Sequence, residues 1–139
     1  MNIDLLVAEL TRDEGVRLKP YKDSVGKTTI GIGRNLDDVG ISEDEAEFLL
    51  HSDIARTAAG LDSALIWWRD LDEVRQRVLL NMAFNLGVYA LLQFHQTLGF
   101  IKSGLWGAAA DGMLDSLWAK QVGPRATRLA DMMRTGVAP

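Results

Sequence analysis

The stretch Asp13-Glu14-Gly15-Val16-Arg17-Leu18-Lys19-Pro20-Tyr21-Lys22-Asp23-Ser24-Val25-Gly26-Lys27-Thr28-Thr29-Ile30-Gly31-Ile32-Gly33 decides how this chain folds. It is where helical periodicity gives way to strands. Upstream, Ile3, Leu6, Val7 and Leu10 recur at helical spacing, with Asn2 as N-cap and Gly15 as stop, which predicts a helix over 3–14. Glu14 then closes that helix. Within the stretch, residues 16–21 and 27–33 are short strand-like runs, and Asp23-Ser24-Val25-Gly26 has turn chemistry. The natural assignment is a small antiparallel hairpin.

Downstream the pattern is helical throughout. Ser42-Glu43-Asp44-Glu45 matches a capping box, with acids crowding the first turn where the helix dipole favours them. Ala46, Leu49, Leu50, Ile54 and Ala58 extend that helix to about Leu61. A helix over about 71–86 follows, ended by Gly87, and then shorter segments around 89–102, 105–120 and 125–134. Gly99, Gly104 and Gly123-Pro124 punctuate them. A strand-bearing lobe followed by a helical lobe is an α+β layout.

Composition narrows the function classes. The 139 residues suit one domain, and 47% hydrophobic content supports a sizeable core. The absence of cysteine rules out disulfides and thiolate metal sites. Residues 1–52 carry six Lys/Arg against eleven Asp/Glu, whereas the remainder carry nine against eight. So acidic a first segment is a poor match for nucleic acid. It is also mildly awkward for attack on an anionic polymer. The N-terminus lacks a basic region, and Asp4 and Glu9 interrupt its apolar residues, opposite to a signal peptide. No run approaches the roughly twenty apolar residues of a membrane span. The expectation is a protein without stable membrane insertion and without its own export signal.

Glu14, Asp23 and Thr29 form the chemical constellation. A helix end followed by a hairpin can bring two carboxyls and a hydroxyl to the rim of one cleft. Glycoside hydrolysis uses such a set: one acid protonates the leaving oxygen, and an opposing carboxylate assists water or stabilises the positive sugar. By spacing alone the signal is weak, because nineteen acidic residues make a Glu–x8–Asp pair common by chance. Glu14 as a surface acid and Asp23 as an ordinary turn residue is the alternative.

The wording of the stretch carries more. Its acid-glycine-x-Arg-Leu run, Tyr21-x-Asp23, and Thr29-x-Gly31-x-Gly33 closely resemble the opening of the phage lysozymes of glycoside hydrolase family 24. Ser42–Glu47, Leu71–Arg75, Asn81–Gly87, Trp118–Gln121, Pro124–Arg128 and Arg134–Gly136 resemble later parts of that family in order. The resemblance implies a lysozyme-like fold in a single domain over 1–139. Its small lobe would span about 15–41, its interlobe helix about 43–61 and its helical lobe about 62–139, with helix 3–14 packing on the last. It implies Glu14 as general acid, Asp23 as second carboxylate and Thr29 as the residue orienting water. Phe84, Thr97 and, more loosely, Leu36 match positions lining the sugar groove, and Arg125 matches an arginine that approaches the catalytic glutamate.

Departures from the family pattern are also informative. Arg34 stands where larger members have histidine, and Asp53 is the position facing it on the long helix, so an Arg34–Asp53 ion pair is expected. Gly112 replaces a groove asparagine. A segment between hairpin and long helix is trimmed, which predicts a more open cleft.

Other residues have plainer readings. His51 and His95 have no acids at ligand spacing, so no metal is expected, and no organic cofactor is implied. Trp67-Trp68 reads as a helix-end pair with one ring buried and one partly exposed. Trp106 and Trp118 read as core, Met132-Met133 as helical packing, and Asp37 and Asp38 as solvated loop acids. The expected activity is that of an N-acetylmuramidase cutting peptidoglycan glycan strands with inversion, for phage-mediated lysis. It would act as a monomer held in the host cytoplasm until released. A glycan-binding protein that kept the fold, and a chitin-directed hydrolase, are the rivals.

Overall fold

The first helix, α1, spans Ile3–Glu14 in the computed structural model, which describes every residue from Met1 to Pro139. Asn2 caps it, its side-chain oxygen accepting from the Leu5 N–H at 3.0 Å. Gly15 ends it at a φ of 75°, a left-handed value that L side chains adopt only with strain. Two strands follow, β1 (Arg17–Lys22) and β2 (Thr28–Gly31), paired antiparallel with Tyr21 opposite Thr29. The ladder is irregular between Arg17 and Tyr21, the segment containing Pro20, which has no N–H to contribute. A two-residue strand β3 (Arg34–Asn35) adds to β2 and completes a three-stranded sheet in the order β1-β2-β3. That third strand is too short for any periodicity to reveal it.

Helix α2 runs Glu43–Ala64, nearly a turn past its expected end. Its capping box forms as predicted: Ser42 Oγ accepts from the Glu45 N–H at 3.1 Å, and Glu45 Oε1 accepts from the Ser42 N–H at 2.9 Å. The same carboxylate takes a fork of two bonds from Arg34, at 2.8 and 2.6 Å. The expected Arg34–Asp53 pair is therefore incorrect. Asp53 lies about 12 Å further along the helix axis than Glu45, and it pairs with Arg56 on its own helix. Arginine, with its planar fork, takes the carboxylate that is already fixed by the cap.

The Arg34 bonds, reinforced by the Ser42 N–H, hold the Glu45 carboxyl down to about 2 from its ordinary value near 4.5. A carboxyl depressed on folding stabilises the native state above its unfolded pKa, and that contribution is lost as pH falls through the folded one. Acid melting between about pH 4.5 and 2 should thus be shallower in Glu45→Gln than in the wild type. Parallel curves over that window would mean that the pair contributes nothing.

The chain divides into two compact units, Met1–Leu49 and Leu50–Pro139. The second is helical. After α2 comes a 3₁₀ turn, Trp68–Asp70, then α3 (Glu73–Leu86), α4 (Val88–Leu91), α5 (His95–Lys102), α6 (Trp106–Leu114), α7 (Leu117–Val122) and α8 (Pro124–Thr135). Each segment expected around 89–102 and 105–120 is two helices, split at Gln93–Phe94 and at Asp115–Ser116. The whole chain is thus α+β. Leu61, Val78, Leu79, Met82, Leu91, Ile101, Met113 and Met133 are fully buried and define the core of this unit. Trp68 and Trp118 are buried as well, whereas Trp67 and Trp106 are partly buried against the same cluster. Asp62 ties the end of α2 to the 3₁₀ turn, accepting from Trp68 Nε1 at 2.7 Å and from Arg69 Nε at 2.6 Å. Arg69 and then Trp68 hold the Asp62 carboxyl below the usual carboxylate range.

Arg75 is the one buried cation. Its Nε donates to the Met133 carbonyl at 2.7 Å and its Nη2 to the Arg134 carbonyl at 3.1 Å, closing the last turn of α8. Its Nη1 meets Asp72 at 3.0 Å, and its guanidinium lies 3.9 Å from the Trp106 ring centre. Leu71-Asp72-Glu73-Val74-Arg75 and Arg134-Thr135-Gly136, far apart in sequence, thus meet through one side chain. A Cβ at Gly136 would lie 2.7 Å from the Arg75 guanidinium, so glycine is required there by space as well as by a φ of 71°.

Candidate active site

Glu14 is the last residue of α1, exposed, and free of any hydrogen bond or ion pair within its own unit. Gly33 lies against it. A Cβ built on Gly33 would sit 3.0 Å from Glu14 Oε2, 3.1 Å from Cδ and 3.3 Å from Cγ. The turn carrying Gly33 therefore passes directly over the carboxyl.

Asp23 and Thr29 are joined through a single residue, Lys27. Asp23 Oδ1 accepts from the Lys27 N–H at 2.9 Å and from the Val25 N–H at 2.9 Å. The Asp23 N–H donates to the Lys27 carbonyl at 2.9 Å, and the Thr29 hydroxyl donates to that carbonyl at 3.0 Å. This is Asx-turn chemistry, the reason aspartate suits the position. It also has a chemical consequence. With Oδ1 occupied by the turn, Oδ2 of Asp23 remains available to a ligand. Thr29, only 4% exposed, has committed its proton to the Lys27 carbonyl, so toward any further partner its oxygen can serve only as an acceptor.

Asp37 and Asp38 are exposed acids of the turn after β3, as expected, but each also bonds back to the sheet. Asp37 Oδ2 accepts from the Thr28 N–H at 2.8 Å, and this bond above all holds its carboxyl below the ordinary range. Asp38 pairs with Lys27 Nζ at 3.1 Å and accepts from Asn35 Nδ2 at 3.0 Å. Both clamp the strand that bears Thr29. Nothing in the sequence marked them, because their partners are nine and eleven residues away across the sheet. Leu36 lies beside them and donates its N–H to the Thr28 carbonyl at 2.8 Å.

The other expected groove residues lie in the helical unit. Phe84 (41% exposed) on α3 and Arg125 in the first turn of α8 line a cavity of about 530 Å³, together with Leu50, Ile54, Leu80 and Asn81. Arg125 is oriented by Asn81, whose side-chain oxygen accepts from Nε at 3.0 Å and from Nη2 at 2.7 Å. Asn81 is thus a positioning residue that sequence reasoning did not single out. Thr97 lines a different, open pocket of about 620 Å³, with Gly112, Phe94 and Trp118. Trp118 is held there by Asn85, whose Oδ1 accepts from the indole N–H at 2.8 Å, and by an edge-on contact with Phe94. A Cβ at Gly112 would come within 2.4 Å of Thr97 Oγ1. The missing groove asparagine is thereby explained, since the threonine hydroxyl fills the space such a side chain would enter.

Comparison with known proteins bears on the same residues. The phage lysozyme family model matches residues 11–133, from the end of α1 to the last turn of α8. A probable T4-type lysozyme 1 of Dictyostelium discoideum is 30% identical over 156 aligned positions, covering 91% of this chain and 92% of that protein. The pre-baseplate central spike protein of Enterobacteria phage T4 is 32% identical over 97% of this chain, which corresponds to 28% of the spike protein. An endolysin of Acyrthosiphon pisum secondary endosymbiont phage 1 is 33% identical over 58% of this chain and 56% of its own length. With both units inside the match and the carboxyl–hydroxyl set in its first unit, the chain belongs to the phage lysozyme family and is a glycoside hydrolase of peptidoglycan.

Proposed function

We propose that the protein is an N-acetylmuramidase that cleaves the β-1,4 bond between N-acetylmuramic acid and N-acetylglucosamine with inversion at the sugar carbon. Glu14 donates its proton to the glycosidic oxygen as the bond breaks. Water attacks the sugar carbon from the opposite face, giving up one proton to the free oxygen of Asp23 while the Thr29 oxygen accepts a hydrogen bond from it. The observation that carries this reading is the Asp23–Lys27–Thr29 linkage. It turns one carboxylate oxygen and one hydroxyl oxygen into pre-set acceptors, and groups that need no reorganisation are the ones that lower a barrier. Inversion requires carboxyls about 6.5–9.5 Å apart, with room for water between them.

In the same reading Leu36, Phe84, Thr97 and Arg125 contact the glycan. Motion hinged near the long helix admits the polymer. The protein works as a monomer without metal or cofactor, and waits in the host cytoplasm until a membrane lesion admits it to the wall. No helix is long and apolar enough to cross a membrane.

Digestion of purified peptidoglycan, with identification of the new reducing ends and NMR of the first-formed anomer, tests this directly. N-acetylmuramic acid ends released as the α-anomer are expected. N-acetylglucosamine ends or retained β-anomers would overturn the bond or the stereochemistry. Preferential cleavage of chitin oligomers would shift the substrate class, and binding without any new ends would make the protein a glycan-binding module.

A further inference from the structure

Gly31 and Gly33 share a backbone property but differ in surroundings. Both have left-handed φ values, 72° and 74°, so any L side chain at either is strained. A Cβ on Gly31 would meet nothing within 4 Å, whereas a Cβ on Gly33 would press on three atoms of the Glu14 side chain at 3.0–3.3 Å. Conformation alone therefore accounts for Gly31 but not for Gly33.

Glu14 itself has little else to orient it. Within the first unit no hydrogen bond or ion pair engages its carboxyl, and its backbone is the final turn of α1, followed at once by Gly15. A glutamate with three free torsions samples several staggered positions unless packing removes them. The space a Cβ on Gly33 would occupy is bounded by the Cγ, Cδ and Oε2 of Glu14, at 3.0–3.3 Å.

We propose that Gly33 is a positioning residue for the reaction: its bare Cα is the surface against which the Glu14 carboxyl is set, and any Cβ there displaces the acid. The inference rests on the reading of Glu14 as general acid. A misplacement of an acid by about 1 Å is enough to cost on the order of 100-fold in rate. Gly31 supplies the control, since its substitution carries the same backbone strain without touching the carboxyl.

Four variants, Gly31→Ala, Gly33→Ala, Gly33→Asn and Glu14→Gln, should be compared with wild type on soluble peptidoglycan fragments, well below each melting point. Asparagine tolerates positive φ better than alanine and carries the same Cβ, so it serves if Gly33→Ala does not fold. The expected result is a loss of Tm at both glycines, larger at Gly33, where the added Cβ also presses on Glu14. Of the glycine variants, only those at Gly33 should lose kcat, by about 100-fold, at little changed KM. In a Glu14→Ala background the Tm cost of Gly33→Ala should shrink to that of Gly31→Ala. Equal kcat losses at the two glycines, or a Tm cost indifferent to Glu14, would overturn the inference while leaving the acid in place. Full activity in Glu14→Gln would instead overturn the reading on which it rests.

Discussion

Glu14→Gln is expected to slow clearing of outer-membrane-permeabilised Gram-negative cells by roughly 10³- to 10⁴-fold, while leaving the protein folded. Glutamine preserves the shape of the side chain against Gly33 but has no proton of suitable acidity to give the leaving oxygen. Glu14 is exposed and unpaired within its unit, so its exchange should move stability by no more than about 0.5 kcal/mol. The two quantities therefore separate: activity collapses at an unchanged melting point. The neighbouring acids sharpen the comparison. Glu9 and Asp13 lie on the same helix and are exposed, yet Glu9→Gln and Asp13→Asn should clear cells at close to the wild-type rate. If a folded Glu14→Gln clears cells as fast as wild type, Glu14 is not the acid.

The second large effect concerns stability. Arg75→Met should destabilise the protein by about 3 kcal/mol, the scale seen when one partner of a buried charged network is removed. Methionine retains much of the aliphatic volume, so the loss is chiefly polar. It strands the Met133 and Arg134 carbonyls at the end of α8, leaves Asp72 without its partner and removes the cation from the Trp106 face. For a helical unit of this size such a loss lowers Tm by about 10 °C or more. Arg77, two residues further along α3, is the control: its ion pair with Glu73 is exposed, and Arg77→Met should cost about 0.5 kcal/mol or less. Equal melting points for the two variants would show that the Arg75 network contributes no more than a surface pair.

These two residues also show what kind of information a sequence holds. Glu14 was legible because the chemistry and the local pattern coincide. The helix that Asn2 starts and Gly15 stops has its last residue there, and the following turn needs an aspartate at Asp23 for its own hydrogen bonds. Arg75 was visible only as part of a family-like run. Nothing in Leu71-Asp72-Glu73-Val74-Arg75 states that its charge is buried, because the carbonyls it serves lie almost sixty residues away. The Arg34 expectation failed for a related reason. Glu45 had a complete local explanation as the capping-box acid, and a local explanation gives no hint of a second partner on β3, eleven residues back. Asp37 and Asp38 are the loop acids the sequence suggested, but their bonds to Thr28 and Lys27, nine and eleven residues back, have no local sign.

The amino-acid sequence by itself determined the succession of first helix, hairpin, long helix and helical region, the hairpin turn, the caps and the candidate acid, carboxylate and hydroxyl. All of these depend on interactions spanning a few residues, where periodicity and turn chemistry are written in neighbouring letters. Only the tertiary structure decided which carboxylate Arg34 takes, that Lys27 links Asp23 to Thr29, that Gly33 lies against Glu14, and that Thr97 and Gly112 share one space. Those outcomes depend on hydrogen bonds of 2.6–3.0 Å and on the space at two glycines, where an added Cβ would come within 2.4–3.3 Å of a neighbouring side chain. A one-residue slip in register would turn every side chain of a strand to the other face, and no local pattern encodes contacts at that precision.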